Sequence, residues 1–374
     1  MLPERIPEHR LKPAASGFFQ VFGAHAAARR RRALALLCQL LGAIWLLNAA
    51  VQAYAWLLPP RAQAAAALLH AFSKPISGAP LWLHPYLDAT LRGVYSVGPL
   101  AVAAAMVALD LAIALALLTG RWRRTFGWLG IAYSVFCWSV LDSFGFPYAN
   151  GQTDPGVFVN YALAFLCVLA AANASKSLPG ERGAGHGFFR VVRILFGLLW
   201  AFDAALKWQP YFLTHFTDQL TVALDGQPAW IDAYIRFAIE LVQSVGPLRM
   251  AVVVAVVESL LALSLLTGRG LRLSIPLGTL YCLLVWTIAE GWGGPYTSTG
   301  TGVRGNVVGN VIIYAVVFLY LWAAMWTPGA KSSTSTWKRR DYEAQVPRLP
   351  GEPHARRRAN ATRSVARRAW RPPS

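Results

Sequence analysis

Long apolar runs separated by short polar segments dominate the pattern along the chain. Eight of these runs have the uniform apolarity of membrane-spanning helices, which rise about 1.5 Å per residue across a hydrocarbon core of roughly 30 Å. The runs cover residues 33–58, 97–118, 126–140, 157–172, 191–208, 245–266, 271–289 and 307–326. Two longer segments are too polar to span. Residues 59–96 carry aromatic residues typical of the membrane interface, and residues 209–243 are predicted to form a long loop. The pattern therefore predicts an all-α integral membrane protein with eight transmembrane helices.

The order of landmarks in residues 97–148 recurs in residues 245–296. Each stretch opens with Val-Gly-Pro-Leu, carries an acidic residue inside an apolar run and turns at Leu-Leu-Thr-Gly. Equivalent residues lie 148 positions apart, namely Asp110 and Glu258, Tyr133 and Tyr281, and Trp138 and Trp286. A constant offset indicates a tandem repeat. It predicts two four-helix bundles in the same orientation, residues 33–173 and 191–327, joined by a linker at residues 174–190.

Composition agrees with a membrane protein. The chain is 56% hydrophobic and only 14% charged, with a mean hydropathy of +0.41. A soluble domain needs more charge to cover its surface. The formal net charge of +18 collects in the first segment, in short loops and in the tail. With eight helices and both termini in the cytoplasm, every short basic loop lies on the cytoplasmic side, as expected for a bacterial or archaeal plasma (inner) membrane.

Both ends of the chain are basic and lack a spanning run. Residues 1–32 end in four arginines, and the run that follows has a cleaved export signal as its alternative interpretation. Residues 328–374 are rich in proline, serine and arginine. They predict a mostly disordered cytoplasmic tail held near anionic lipid headgroups. A nucleic-acid-binding tail is the alternative, but the membrane setting favours lipid, so no nucleic-acid partner is predicted.

Two carboxylates lie near the middle of predicted spans, Asp110 in the second and Glu258 in the sixth. A charged side chain at this depth costs about 2.5–3.5 kcal/mol on insertion scales. Each should therefore face the interior of its bundle and find a polar partner. The functional interpretation is a carboxyl group that accepts protons or contacts a quinone. The alternative is a hydrogen-bond acceptor that ties helices together.

The fifth predicted span carries opposite charges at Asp203 and Lys207. The spacing of four residues puts both on one helix face, where they can pair. The first half has Asn48 and Gln52 at the equivalent positions, counted from Trp45 and Trp200. Neutral amides there keep hydrogen bonding and lose the ionisable site. The second half is therefore the better candidate for chemistry, with a structural ion pair as the alternative.

A third group of residues lies on and after the seventh predicted span. Glycines allow a loop to approach a ligand or a neighbouring helix closely, and aromatic residues stack on planar rings. Tyr281, inside the span, can donate a hydrogen bond to a quinone carbonyl. Anchoring of aromatic residues at the interface and core packing are the alternatives. The candidate cofactor-binding residues of this group are Tyr281, Trp286, Glu290, Gly293, Gly294 and Tyr296.

Several kinds of site find no support in the sequence. None of the seven histidines lies inside a predicted span, so a transmembrane bis-histidine haem is not predicted. The four cysteines fall inside apolar runs without Cys-x-x-Cys spacing, which predicts buried thiols and neither a metal site nor disulfides. No nucleotide-binding, serine-hydrolase or zinc-protease motif is present.

One set of residues in the second half resembles the DoxX/DoxD family of four-helix membrane proteins. The resemblance covers residues 191–326 well and residues 33–172 less well, because Asn48 and Gln52 depart from the charged pattern. In that family, DoxD is a membrane subunit of thiosulfate:quinone oxidoreductase, and other members partner redox or thiol-handling proteins. The residues that carry the resemblance are Arg193 to Gly197, Trp200, Asp203, Lys207, Pro210, Glu258, the Leu-Leu-Thr-Gly segment ending at Gly268, Trp286, Glu290, Gly293 and Gly294.

The resemblance implies a membrane subunit of a quinone-linked redox complex that oxidises a sulfur compound of the thiosulfate type. Other membrane or extracytoplasmic redox subunits would be its partners, and quinone its cofactor. Glu258, Asp203 and Lys207 would form the catalytic group, with Arg193 adding positive charge near the quinone. The alternative is a non-catalytic subunit that anchors a larger respiratory or photosynthetic complex. A carrier is disfavoured because the spans lack paired Gly/Pro breaks.

Overall fold

A computed structural model describes residues 15–148, 151–174, 184–293 and 308–325, which all belong to one compact unit. These residues form helices, turns and loops, with no β-strand among them, so the predicted all-α class is confirmed. The helices are α1 (Ala15–Trp56), α2 (Arg61–Gly78), α3 (His84–Val97), α4 (Pro99–Thr119), α5 (Arg123–Val140), α6 (Val157–Ala174), α7 (Ala184–Lys207), α8 (Pro210–Thr214), α9 (Phe216–Thr221), α10 (Ala229–Val245), α11 (Pro247–Thr267), α12 (Leu271–Ile288) and α13 (Val311–Met325).

Five helices of the described chain are long and apolar enough to cross a membrane. They are α1 over Ala27–Trp56, α4, α6, α11 and α12, while α13 is apolar but shorter. Their outward faces carry large apolar side chains, and Leu260, Leu263 and Leu280 are 59%, 58% and 64% exposed. An apolar surface of this extent suits contact with lipid rather than water. The four cysteines are buried and free of disulfides, as predicted.

Residues 209–243, predicted as a long loop, are largely helical, and so is the polar segment of residues 59–96. Residues 59–96 contain α2 and α3, and residues 209–243 contain α8, α9 and most of α10. The loop prediction for residues 209–243 was wrong because it expected helices to be uniformly apolar. In contrast, α10 buries only one face, with Ile231, Ile235 and Ile239 at helical spacing. The long connections are therefore short amphipathic helices that lead into the apolar ones.

The helices pack around a central pair, α6 and α13. In the first half, α1 packs against α4 and α5 against α6; in the second, α7 packs against α11 and α12 against α13. Gly42 allows the close contact of α1 with α4, because a Cβ there would lie 2.9 Å from Leu117 Cβ. Gly197 does the same for α7 and α11, where a Cβ would lie 3.0 Å from Leu266 N. The central helices also contact each other, and α6 contacts α7 while α13 contacts α1.

Each half contains a buried cluster of aromatic rings with the same composition. A tryptophan of the first long helix packs edge-on or tilted against two tyrosines and one phenylalanine, with ring centroids 4.7–6.4 Å apart. Three of the four tyrosine hydroxyls donate hydrogen bonds to buried carboxylates, and the fourth, of Tyr161, accepts one from the amide of Asn48. The clusters are Trp45 with Tyr133, Tyr161 and Phe165, and Trp200 with Tyr281, Tyr314 and Phe318.

Candidate functional site

Lys207 and Glu258 form a buried ion pair between α7 and α11. The Lys207 Nζ atom lies 3.5 Å from Glu258 Oε2, and the two side chains are 12% and 6% exposed. Tyr281 of α12 donates a hydrogen bond of 2.8 Å to the other oxygen of the same carboxylate, Oε1. Three helices therefore converge on one carboxylate, which is held by a cation and a phenol.

Asp203 is the second buried carboxylate of this site. Its Oδ2 atom accepts a hydrogen bond of 2.7 Å from the hydroxyl of Tyr314 on α13. Asp203 shares a helix face with Lys207, but the salt bridge that the structure gives Lys207 is to Glu258. Lys207 is the last residue of α7, where its side chain can reach α11, whereas Asp203 lies one turn earlier and faces α13. The intrahelical pair that the spacing allows is therefore replaced by a pair between helices.

Lys207 is also held by the first half of the chain. Its ammonium donates a hydrogen bond of 2.5 Å to the carbonyl of Thr153, in the loop before α6. The same ammonium lies 5.3 Å from the centre of the Phe212 ring, a favourable cation–π distance. Because Lys207 contacts Glu258, Thr153 and Phe212 together, its position depends on both halves of the described structure.

Three polar atoms of this site have no hydrogen-bond partner among the described residues, although all three are buried. They are the indole Nε1 of Trp200, Oδ1 of Asp203 and Oε2 of Glu258, the last of which has only the ionic contact with Lys207. Nearly all buried polar groups in proteins have a hydrogen-bond partner, and the exceptions often mark a functional site or a bound molecule. Each of these atoms is still able to form a hydrogen bond, the indole as a donor and the two carboxylate oxygens as acceptors.

The first half has a matching arrangement that lacks the cation. Asp110 accepts a hydrogen bond of 3.4 Å from Tyr133, as Glu258 does from Tyr281. Asn48 donates a hydrogen bond of 2.7 Å to the hydroxyl of Tyr161, where the second half has Asp203 and Tyr314. Gln52 occupies the position of Lys207 and is buried. The buried ion pair is thus confined to the second half of the described chain.

Trp286 and Glu290 bind the backbone just before α13. The Trp286 indole donates a hydrogen bond of 2.6 Å to the carbonyl of Val308. Oε1 of Glu290 accepts hydrogen bonds of 2.9 Å from the amide of Asn310 and 3.1 Å from that of Val311. These amides belong to the start of a helix and have no partner within it. Both residues, predicted as cofactor contacts, thus hold the entry of α13.

The predicted glycine and tyrosine contacts lie partly outside the described residues. Gly294 and Tyr296 fall in the segment that the structure leaves out. Gly293 is described, has φ +87°, and leaves no space for a Cβ because the backbone of Val308 lies against it. The close approach that a glycine permits is made here by the chain itself.

The remaining predicted residue, Arg193, lies away from the site. It precedes Lys207 by fourteen residues on α7, which corresponds to about 21 Å along a helix. Its guanidinium lies at Gly268, at the end of α11. The structure therefore brings together Glu258, Lys207, Asp203 and Tyr281, and leaves Arg193 at the opposite end of the bundle.

Sequence reasoning missed two members of the site. Tyr314 lies 153 positions after Tyr161, and both hydroxyls bond the side chains that correspond in α1 and α7, so the repeat contained a signal for it. Thr153 contributes a backbone carbonyl, for which no side-chain pattern exists. A contact made by a backbone carbonyl depends on how the loop packs against α7, which the sequence does not show.

Burial raises the pKa of Glu290 to about 8, although hydrogen bonds from the Val311 and Asn310 amides lower it. An unfolded glutamate ionises near pH 4.3, so stability should fall as the pH rises from about 4.5 to about 8 and stay low above that. We expect Glu290→Gln to remove this pH-dependent loss of stability. The Tm of the variant should therefore fall less than that of the wild type between pH 5 and pH 9, by roughly 5 °C. Thermal unfolding in one detergent at several pH values measures it. Glu240→Gln, an exposed glutamate of α10, is the control, and equal slopes for wild type and Glu290→Gln would contradict the prediction.

Comparison of the chain with protein-family models, with curated proteins and with solved structures finds no match. Function must therefore be argued from the contacts of the buried residues themselves. The resemblance to the DoxX/DoxD family stays a prediction from the sequence.

Proposed function

We propose that this chain is a multi-pass plasma-membrane subunit of a redox complex, in which the second half handles the protons of a quinone. In this proposal α1, α4, α5 and α6 form one four-helix bundle and α7, α11, α12 and α13 form the other. All eight cross the membrane, and both termini lie in the cytoplasm. The five helices that are long and apolar enough to span, and the matching contacts of the two halves, support this arrangement.

The observation that carries the proposal is the buried group of Lys207, Glu258 and Asp203. Ionisable side chains at membrane depth are costly, and they mark functional sites in many membrane proteins. Here a cation and two carboxylates lie in a largely apolar interior, with Tyr281 and Tyr314 as hydrogen-bond donors. The first half keeps the hydroxyl-to-polar contacts without the cation. The cation is therefore not needed for the hydroxyl-to-polar contacts that both halves share.

The unpaired atoms of the site fit the two redox forms of a quinone. When bound, a quinone accepts two electrons and two protons. The Trp200 indole and the Lys207 ammonium can donate hydrogen bonds to a carbonyl oxygen. Oδ1 of Asp203 and Oε2 of Glu258, which have no hydrogen-bond partner among the described residues, can accept them from a hydroxyl group. The chain's own part is thus to orient the ring and to hold or release protons at these two carboxylates.

The electron donor belongs to a partner subunit on the extracytoplasmic side. The resemblance to the DoxX/DoxD family favours a donor that oxidises a sulfur compound of the thiosulfate type. In the proposed orientation, Lys207 and the loop containing Thr153 lie toward the extracytoplasmic ends of the helices. Electrons delivered at that surface would therefore have a short path to a quinone bound beside the buried group.

The test compares the two carboxylates of the repeat. Glu258→Gln keeps the size and the hydrogen bond from Tyr281 but loses the proton-accepting oxygen. We expect it to lower quinone reduction by the purified complex by at least about 100-fold, the range of general acid–base effects. Asp110→Asn, the matched change in the first half, should change the rate less than about twofold. Equal losses in the two variants, or no loss in either, would contradict the proposal.

A structural role is the second candidate, and one contact favours it. The hydrogen bond from Lys207 to the Thr153 carbonyl ties the second half to the first. A subunit that only anchors a larger complex would need this tie and no redox chemistry. Co-purification distinguishes the two roles: a small redox partner with stoichiometric quinone supports the first, and a large complex without quinone supports the second.

A further inference from the structure

A cleft opens at the end of α7 that lies opposite Lys207. It has a volume of about 390 Å³ and lies between the start of α7, the start of α12 and the end of α13. Three arginines line it, Arg190 and Arg193 from α7 and Arg272 from α12. The remaining lining residues are apolar: Phe189, Leu271, Ile275, Leu321, Ala324 and Met325.

The three guanidinium groups have no acidic partner among the described residues. The two salt bridges that the structure describes involve Lys207 and Arg236 only. Arg190 and Arg193 are close enough to act on each other electrostatically. Arg193 is also fixed in place, because its guanidinium fills the space beside Gly268 where a Cβ would stand. Like charges held together, with no acidic partner in the described part of the chain, form a ready site for an anion, and arginine is the preferred residue for binding phosphate oxygens.

The other residues that line the cleft are apolar, and several are buried. Phe189, Ile275 and Leu321 are 6%, 1% and 4% exposed. Arg190 and Arg272, by contrast, are exposed. A free inorganic anion would need only the charged rim, whereas charge above an apolar wall matches a molecule with an anionic head and a hydrocarbon tail.

The cluster is not simply inherited from the repeat. The positions of the first half that correspond to Arg190 and Arg193 are Ala35 and Cys38, at the offset of 155 that relates Trp45 to Trp200. Arg272 corresponds to Arg124, which donates a hydrogen bond of 2.5 Å to Asn173. The first half therefore keeps one of the three charges and engages it with a neighbouring side chain.

We infer that this cleft binds a phosphate group, and specifically the phosphate-bearing headgroup of an anionic lipid. In the proposed orientation the cleft opens at the cytoplasmic surface, where anionic headgroups lie. There each nearby arginine contributes about 1 kcal/mol, or about fivefold in affinity. The site is separate from Lys207 and Glu258, so it does not depend on quinone chemistry.

The experiment titrates the purified full-length chain in neutral detergent with phosphatidylglycerol, with phosphatidylcholine and with inorganic phosphate, and follows bound lipid by native mass spectrometry. We expect the Arg190→Gln/Arg193→Gln/Arg272→Gln variant to bind phosphatidylglycerol about 100-fold more weakly than wild type. Arg269→Gln changes an exposed arginine in the turn before α12 that does not line the cleft, and it should bind like wild type. Both variants keep the basic tail, so binding there cancels in the comparison.

Because Arg193 is half-buried, the triple variant is paired with Arg190→Gln/Arg272→Gln, which changes only exposed side chains. The double variant should bind phosphatidylglycerol about 25-fold more weakly. Unchanged binding by the double variant would overturn the inference. If inorganic phosphate competes fully with the lipid at millimolar concentration, the phosphate site stands and its assignment to a lipid headgroup is overturned.

Discussion

Replacement of Lys207 by methionine is expected to lower the free energy of unfolding by about 3–5 kcal/mol, the typical cost of removing one partner of a buried ion pair. Methionine fills a similar volume, so the loss comes from the charge and from the hydrogen bond to the Thr153 carbonyl. Glu258 would keep only Tyr281 as a partner, and Asp203 only Tyr314. Unfolding of the purified chain in mixed micelles, followed by tryptophan fluorescence, gives the free energy.

Two further variants make this prediction specific. Lys207→Met/Glu258→Gln removes both charges and keeps the Tyr281 hydrogen bond, so it should be more stable than Lys207→Met alone. Arg236→Gln breaks an exposed i,i+4 pair with Asp232, whose side chains are 61% and 30% exposed. That loss should stay below about 1 kcal/mol. If Lys207→Met costs no more than Arg236→Gln, the pair does not stabilise the fold as its burial implies.

Gly145→Ala and Gly293→Ala are each expected to destabilise the protein by about 2–5 kcal/mol. Both glycines have left-handed backbone, with φ +83° and +87°, which costs an alanine about 1–2 kcal/mol. A Cβ at Gly145 would also overlap the backbone of Pro155, and one at Gly293 the backbone of Val308. A backbone cannot rotate away as a side chain can, so overpacking adds about 1–3 kcal/mol. Thermal unfolding in detergent measures both variants.

Gly93→Ala supplies the control of opposite sign. Gly93 lies inside α3, and a Cβ there would meet nothing within 4 Å. Alanine at such a helix position should stabilise the protein by about 0.5–1 kcal/mol. Equal Tm values for Gly93→Ala and Gly145→Ala would show that the close approach of the loop to Pro155 carries no energetic cost.

The sequence predicts the apolar helices well and the amphipathic ones poorly. Residues 245–266 and 271–289 were expected to be helical, and α11 (Pro247–Thr267) and α12 (Leu271–Ile288) begin and end within two residues of these limits. Uniform apolarity is a signal that needs no knowledge of neighbours. In contrast, α10 is defined by the face that it buries against other helices, and a search for spanning runs passes over it.

The site was predicted as a set of residue types, but its contacts were not. Spacing showed that Asp203 and Lys207 share a face, yet spacing within one helix cannot say which helix that face meets. In the structure, Lys207 forms an ion pair with Glu258, and Asp203 accepts a hydrogen bond from Tyr314. Similarly, Gly293 was expected to let its loop approach a ligand or a neighbouring helix closely, and the structure places the chain's own Val308 against it. Both outcomes depend on helix crossings, which local sequence does not encode.

The central position of α13 has a consequence for how the protein is made. This helix is the last one in the described chain, and it packs against α1, α6, α7 and α12. Until it is synthesised, Asp203 lacks Tyr314, and Asn160 of α6 lacks its hydrogen bond to Asn310. Polar groups without these partners are unfavourable in the hydrocarbon core. This cost would favour keeping the earlier helices beside the translocon until α13 is inserted. Final assembly of these helices therefore follows the synthesis of α13, and chains truncated before it should be recognised by membrane quality control.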